Sequence, residues 1–390
     1  MNRATALASL LALLAIACGS PSASTQASAA RSSQTPSSTN FTFDILSVPG
    51  GTWAASTARI ASGISCSGPI GASDAVAIVT LHSGEVVLRD YADPRNPRSA
   101  CKFQGESVPA FLIDSRHAVV GSRDCCNIFA VVDLPDVRFH WFALPRPPGF
   151  NSGLLAVSPR LDEIAWLSNN DTTGGDRKVH LTTKSGDQVV ANLPPALGRC
   201  GAANLSKEGA YTHSGNHLYV LDQPLPKNTL IVFQANKQVL SLVPPGGVWA
   251  QPEMAVWSPT SEALFYRQNG DVWQWTQAAG PQRYLTGVDW YYPTFSPSGS
   301  HLAYSVPRSD GLHDIYLIDV AHGGSPQLIK GARNFPVFLN STQLWYWTEG
   351  QGICGPGLNH PLVYDITDGS EAGSIVDQVT AVWPATSSSF

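Results

Sequence analysis

The feature that most constrains this chain is an internal repeat. Val157-Ser158-Pro159 leads to Ile164 and Trp166, Trp257-Ser258-Pro259 to Leu264 and Tyr266, and Phe295-Ser296-Pro297 to Leu302 and Tyr304. In each copy an apolar residue precedes Ser-Pro, with an aliphatic seven positions after that apolar residue and an aromatic nine after. The last two share one face of a strand, because side chains alternate with period two. The Ser-Pro ends the preceding strand, because proline cannot donate to a ladder.

Looser copies fill the gaps. Phe338-Leu339-Asn340 precedes Leu344-Trp345-Tyr346-Trp347, Phe111-Leu112-Ile113 precedes Ala118-Val119-Val120, and Leu205-Ser206-Lys207 precedes Tyr211. An early copy begins near Ala72-Ser73-Asp74. These anchors recur every ~40–50 residues, the period of a four-stranded propeller blade. A second element follows each anchor, clearest in Asp314-Ile315-Tyr316-Leu317-Ile318-Asp319 and His217-Leu218-Tyr219-Val220-Leu221-Asp222. These are short strands closed by an Asp able to nucleate a turn. Gly323-Gly324, Ser185-Gly186-Asp187 and Asp368-Gly369 supply hairpin turns needing positive φ. The expected fold is all-β: a propeller of seven four-stranded blades over residues 41–390, with six or eight blades as the alternatives. Ring closure must remove an open strand edge. The segment 41–48, joining the blade that starts near Phe338, is the first choice, and 374–382 the other.

Phe-Ser-Pro-Ser-Gly-Ser-His-Leu-Ala-Tyr (295–304) followed by Asp-Ile-Tyr-Leu-Ile-Asp (314–319) resembles the WD40-like (PD40-type) repeat of TolB-type propellers. The resemblance spans roughly residues 72–380 and implies a propeller used for binding outside the cytoplasm. The family's Asp after Ser-Pro is replaced by Arg160, Thr260 and Ser298, and the α/β domain that precedes the propeller in TolB has no counterpart.

The N-terminus reads as a targeting segment. Arg3 precedes an apolar run, Ala4 to Ala17, too short for a spanning helix of ~20 residues but suited to a signal peptide over 1–17. Leu14-Ala15-Ile16-Ala17-Cys18 resembles a bacterial lipobox, which implies a lipid anchor on Cys18. The alternative is simple secretion, since Ala15-Ile16-Ala17 also fits an A-x-A cleavage site. From there to residue 40 the chain is rich in Ser, Thr and Ala, with Arg31 as its only charge, and is expected to form a disordered tether reaching ~25 Å. The protein is therefore placed at the outer face of a membrane, or else secreted or periplasmic, and expected to be monomeric. No Lys/Arg-rich run is present, which argues against a nucleic-acid partner.

Export makes the remaining cysteines, Cys66, Cys101, Cys125, Cys126, Cys200 and Cys354, disulfide candidates. Loop placement suggests Cys101 with Cys125 or Cys126, and Cys354 with Cys66. Cys200 would then meet the other adjacent cysteine, and a vicinal Cys125–Cys126 bond competes. Staples are preferred to a redox role.

A propeller by itself licenses no function. The chain has no G-x-S-x-G elbow, no H-E-x-x-H helix, and no S-x-D-x-G-x-T-W box. His213 and His217 flank a tight turn but lack the third ligand a zinc site needs. No metal or other cofactor is expected.

The aromatic segments before the innermost strands gather at the channel mouth: Trp290, Tyr291, Tyr292, Trp249, Phe150 and Phe335. Asn151, Arg199, Arg333 and Asn334 share these loops. Such a concave site suits a protein, small-molecule or glycan partner, while the same rings could instead pack between blades. The leading expectation is a non-enzymatic binding module or scaffold. The alternative is a hydrolase or lyase acting on carbohydrate or another envelope polymer, which would need facing carboxylates, with Asp289, Glu253 and Asp114 as those to check. A docking platform for assembly is a third possibility.

Overall fold

Strand after strand in this chain pairs with its sequence neighbour, so the sheets assemble from consecutive hairpins. The computed structural model describes residues 54–67, 70, 75–122, 128–134, 136–145, 149–170, 175–193, 206–223, 229–242, 253–352 and 355–383. Cys18, the segments 1–17, 18–40 and 41–48, and the early repeat at 72–74 lie outside them. Among the described residues no helix is long and apolar enough to cross a membrane.

There are seven antiparallel sheets. The first contains β1 (Ile64–Cys66), β2 (Val76–Leu81), β3 (Val86–Asp90) and β4 (Arg98–Phe103), together with the last strand, β29 (Val376–Trp383). Blades 2 to 7 follow in order: β5–β8 (107–143), β9–β12 (150–193), β13–β16 (206–242), β17–β20 (253–285), β21–β24 (291–331) and β25–β28 (333–373). Helix α1 (Ala54–Ser62) precedes β1. Ile60 of α1 is buried and its carbonyl accepts from Ser107 Oγ at 2.5 Å. Gly63 is obligatory at the exit, since a Cβ there would lie 2.2 Å from the Gln104 carbonyl oxygen.

Seven apolar layers separate the seven sheets, one between each neighbouring pair. The layer joining Val337 and Trp345 of blade 7 to Ala77 and Val79 of blade 1 closes the ring, because an open arc of seven would have only six. The inner strands therefore bury both faces, while outer strands such as β28 and β16 stay largely exposed. On one strand of blade 7, Leu344 and Tyr346 pack towards blade 6 while Trp345 packs towards blade 1.

The repeat is the hairpin between the first and second strands of a blade. Ser158 N donates to Glu163 O, Ser258 N to Ala263 O and Ser296 N to His301 O, each at 2.9 Å. The buried serine hydroxyls accept a further turn amide, from Arg160 at 3.2 Å, Thr260 at 3.4 Å and His301 at 3.0 Å. The next residue is proline, which has no N–H to leave unpaired. The aliphatics Ile164, Leu264 and Leu302 are fully buried, as are Trp166, Tyr266 and Tyr304 to within 2%. At the same end of the blades Asp90, Asp319 and Asp365 accept the amides of Ala92, His322 and Thr367 and end their strands, whereas Asp222, expected to close its strand in the same way, pairs with Arg177.

The structure corrects four expectations. The ring is closed by β29, which pairs with β2 in the register Ile78↔Ala381, whereas the blade starting near Phe338 is already complete with four strands. Blade 1 carries five strands, because β1 adds to β4. In blade 4 the repeat hairpin begins at Thr212, whose amide donates to His217 O at 2.8 Å. Ser206 instead starts the innermost strand, and the threonine hydroxyl, accepting from His217 N, does the work of Ser-Pro without its sequence signature. Finally, Cys66 and Cys101 are bonded to each other, being direct cross-strand partners on β1 and β4. This removes the pairings of Cys101 with Cys125 or Cys126 and of Cys66 with Cys354. Cys125, Cys126, Cys200 and Cys354 lie outside the described residues.

Candidate functional site

Each innermost strand starts at the end of the blade where the second-to-third-strand hairpin also turns, so both sets of loops share one mouth face. Blades 5, 6 and 7 enter that face through the same backbone irregularity. Met254, Tyr292 and Phe335 adopt φ of 51°, 51° and 56°, each three residues before the terminal aromatic Trp257, Phe295 or Phe338 of its strand. The ladder slips at each, between Glu253 and Val256, Tyr291 and Thr294, and Asn334 and Val337. An L-residue held left-handed costs about 1–2 kcal/mol, and such strain concentrates where side chains are re-aimed for function.

The bulges bring Tyr292 of blade 6 and Phe335 of blade 7 together with ring centroids 4.2 Å apart. Tyr291 lies beside them, 6.2 Å from Tyr292 and edge-on to His313 at 6.1 Å. All three rings are half-buried. The Arg267 guanidinium of blade 5 sits 4.2 Å over the Tyr291 ring and is held by Asp289 and by the Trp290 carbonyl.

Behind the rings lies a polar knot. Glu349 of blade 7 accepts from the His313 amide at 2.6 Å and from Asn334 Nδ2 at 2.9 Å, and lies 3.0 Å from His313 Nδ1. Burial opposes its charge, but the bonds from His313 and Asn334 outweigh it and hold the carboxyl below the ordinary range. The arrangement presents aromatic surface with fixed donors and acceptors.

The sequence candidates divide accordingly. Tyr291, Tyr292 and Phe335 come together. Trp290 is removed as a contact: it is fully buried and packs 5.7 Å from Tyr304 between blades 5 and 6. Asn334 is buried and positions Glu349, and Arg333 is engaged with Glu371 at 3.2 Å. Phe150 is half-buried on β9 (Phe150–Val157), and Asn151 stands on the same strand opposite Asn169. Trp249 and Arg199 lie outside the described residues. Asp289 belongs to the mouth, but Asp114 turns the first hairpin of blade 2, at the opposite end of the strands, where it binds His117. Glu253 begins its innermost strand. His217 contacts Glu262 and Gln277. Sequence reasoning missed Arg267, His313 and Glu349. Their one signal was a charged or polar residue beside the end of a buried strand.

No protein-family model matches the chain, and no curated protein matches it. Among solved structures it is similar to a prolyl endopeptidase at 14% identity and a TM-score of 0.50, covering 84% of this chain and 52% of that one. It is also similar to TolB from Acinetobacter baumannii, at 12% identity and TM-score 0.41, covering 67% and 65%, and to an oligogalacturonate lyase in complex with manganese, at 13%, 0.44, 76% and 83%. The chain thus spans about half of the endopeptidase and about two thirds of TolB. Likeness at this identity is one of fold alone, and the fold is that of a seven-bladed β-propeller.

Proposed function

We propose that this propeller is an exported binding or scaffold module, anchored to the outer face of a membrane through Cys18, that receives its partner on the mouth face. The observation that carries the reading is the recurrence of a left-handed residue at one position of three successive blades, which sets Tyr292 and Phe335 against each other beside Arg267 and Tyr291. Rigid, half-exposed rings flanked by charged groups are the usual make-up of interaction hot spots. A catalytic reading draws less support, since Asp289 is neutralised by Arg267 and Asp114 belongs to the other end of the strands.

Capture from an envelope extract tests the reading. Immobilised wild-type chain is expected to retain a defined partner that the Tyr291→Ala/Tyr292→Ala/Phe335→Ala variant releases, with both forms melting within a few degrees. Identical capture by the two would sink it. Intact-mass analysis of the mature chain tests the anchor: a lipid-modified N-terminal Cys18 is expected, and an unmodified terminus at that position refutes it.

A further inference from the structure

A second feature of the mouth face lies one blade further round, at the junction where the ring closes. In blade 7, β26 (Gln343–Gly352) and β27 (Gly355–Asp365) are ten and eleven residues long, longer than any other described strand. The first half of β26 packs between neighbouring blades, and the middle of the hairpin stands beside the start of β29 and the turn after β2, where Ser374 N donates to Pro361 O and His82 N to Ile375 O. Between them is a cleft of about 500 Å³, a size suited to a small ligand.

The lining has a distinctive chemistry. One wall is apolar, made by Trp347 and its cross-strand partner Pro361. Trp347 is half-buried, its indole braced edge-on against Trp345 at 6.0 Å, so part of the ring remains available. The other groups are His82, Asn359, His360 and Asp377. The two histidines and Asn359 are exposed, and Asp377 is already in contact with His82. None of the lining residues is Lys or Arg.

We infer that this cleft binds a neutral saccharide. A sugar ring offers an apolar C–H face to an indole, as amphipathic aromatic sites require. Its hydroxyls donate and accept together, matching an amide, a carboxylate and two imidazoles, which between them supply both roles. Competing ligand classes fit worse. A phosphate, sulfate or uronate would meet the Asp377 carboxylate with no lysine or arginine to offset it. A cation would find that carboxylate engaged by His82. An alkyl chain would strip water from four polar side chains without replacing their hydrogen bonds. The inference rests on the mouth face being the binding face, and it adds a ligand class and a location separate from the Tyr292–Phe335 contact.

Isothermal titration of the purified mature chain with maltohexaose, cellohexaose and chitohexaose tests it, with hexagalacturonate as the charged control. At least one neutral oligosaccharide is expected to bind, and to bind about tenfold more tightly than the uronate. Trp347→Ala is expected to weaken that binding about tenfold, the scale of one lost ring contact. Gly373→Ile should block it without unfolding the blade, because Gly373 also lines the cleft, has ordinary φ and has nothing within 4 Å of an added Cβ. The exposed pair Asn359→Ala/His360→Ala should weaken it as well. The inference is overturned if none of the three neutral sugars binds, if hexagalacturonate binds equally well, or if binding survives both Trp347→Ala and Gly373→Ile. If Tyr292→Ala/Phe335→Ala abolishes sugar binding while Trp347→Ala does not, the mouth-face reading stands and the cleft assignment falls. Identical partner capture by the wild type and the Tyr291→Ala/Tyr292→Ala/Phe335→Ala variant, with sugar binding present and lost in Trp347→Ala, does the reverse.

Discussion

His217 of blade 4 and Glu262 of blade 5 join their blades across the face opposite the mouth, with Nδ1 2.7 Å from Oε2. The imidazole is 4% exposed, lies edge-on to Trp275 at 5.6 Å and reaches Gln277 with its other nitrogen at 3.1 Å. Replacing it removes a buried polar contact and the ring that fills the space.

His217→Ala is therefore expected to cost about 1–3 kcal/mol, the range for a buried group left without its partner, measured by urea denaturation. The carboxylate side makes a pH prediction. Burial opposes the charge on Glu262, but hydrogen bonds from Ser214, His217 and Thr212 outweigh it and hold its pKa below the ordinary 4.5. A depressed carboxylate contributes stability above its unfolded pKa and loses it as pH falls through the folded one. Glu349 shifts the same way. Melting temperature should fall as the pH drops below 4.5, and Glu262→Gln should lower the neutral plateau while making that acid limb shallower. An acid limb unchanged in Glu262→Gln would remove Glu262 from the account.

Arg177 and Asp222 form a two-pronged ion pair between blades 3 and 4, with Nη1 to Oδ2 at 2.6 Å and both side chains at most 1% exposed. Deleting one partner strands a buried charge. Asp222→Ala is expected to cost about 3–5 kcal/mol, whereas Arg177→Met/Asp222→Leu should cost far less, because the desolvation penalty leaves with both charges. Equal losses in the single and double variants would contradict this.

The Cys66–Cys101 bond closes a loop across 35 residues of sequence, worth about 3–4 kcal/mol by loop entropy. It ties only the outermost strand of blade 1. Cys66→Ser/Cys101→Ser is expected to release β1 and α1 first, seen as faster amide exchange over residues 57–66 while β2 and β3 stay protected. Uniform loss of protection across blade 1 would show the bond to be part of the blade's core instead.

Gly299 and Gly323 both have left-handed backbone, with φ of 69° and 65°, but only Gly299 meets the neighbouring blade. A Cβ there would lie 2.6 Å from Thr260 Oγ1, while one on Gly323 meets nothing within 4 Å. Gly323→Ala should cost about 1–2 kcal/mol from backbone strain alone. Gly299→Ala should cost about 1–3 kcal/mol more from overpacking, and Thr260→Ala in the same chain should recover that excess. Equal melting temperatures for the two single variants would refute the blade-to-blade contact.

The blades were legible because their information is local. Ser158, Ser258 and Ser296 bond within their own hairpins, and the aliphatic and aromatic positions that follow alternate along a single strand. Where Thr212 replaced Ser-Pro the hairpin was misplaced, since a threonine hydroxyl can serve the same turn without marking it. The sequence put Tyr291, Tyr292 and Phe335 in loops before the innermost strands, whereas the structure has them within the first residues of β21 and β25. The sequence did not distinguish them from Trp290, one residue away and fully buried, because exposure depends on how the neighbouring blade packs.

By itself, then, the sequence determined the all-β class, the repeat, and the hairpins that build each blade, all of which follow from hydrogen-bond ladders between consecutive strands. Only the tertiary structure decided how the ring closes, which cysteines meet, and which rings face outward. Val76 pairs with Trp383 across some three hundred residues of sequence, and Cys66 faces Cys101 because the chain returns to the outer edge of its own first blade. Such contacts are chosen by which surfaces remain unpaired once the local sheets have formed, a property of the assembled ring.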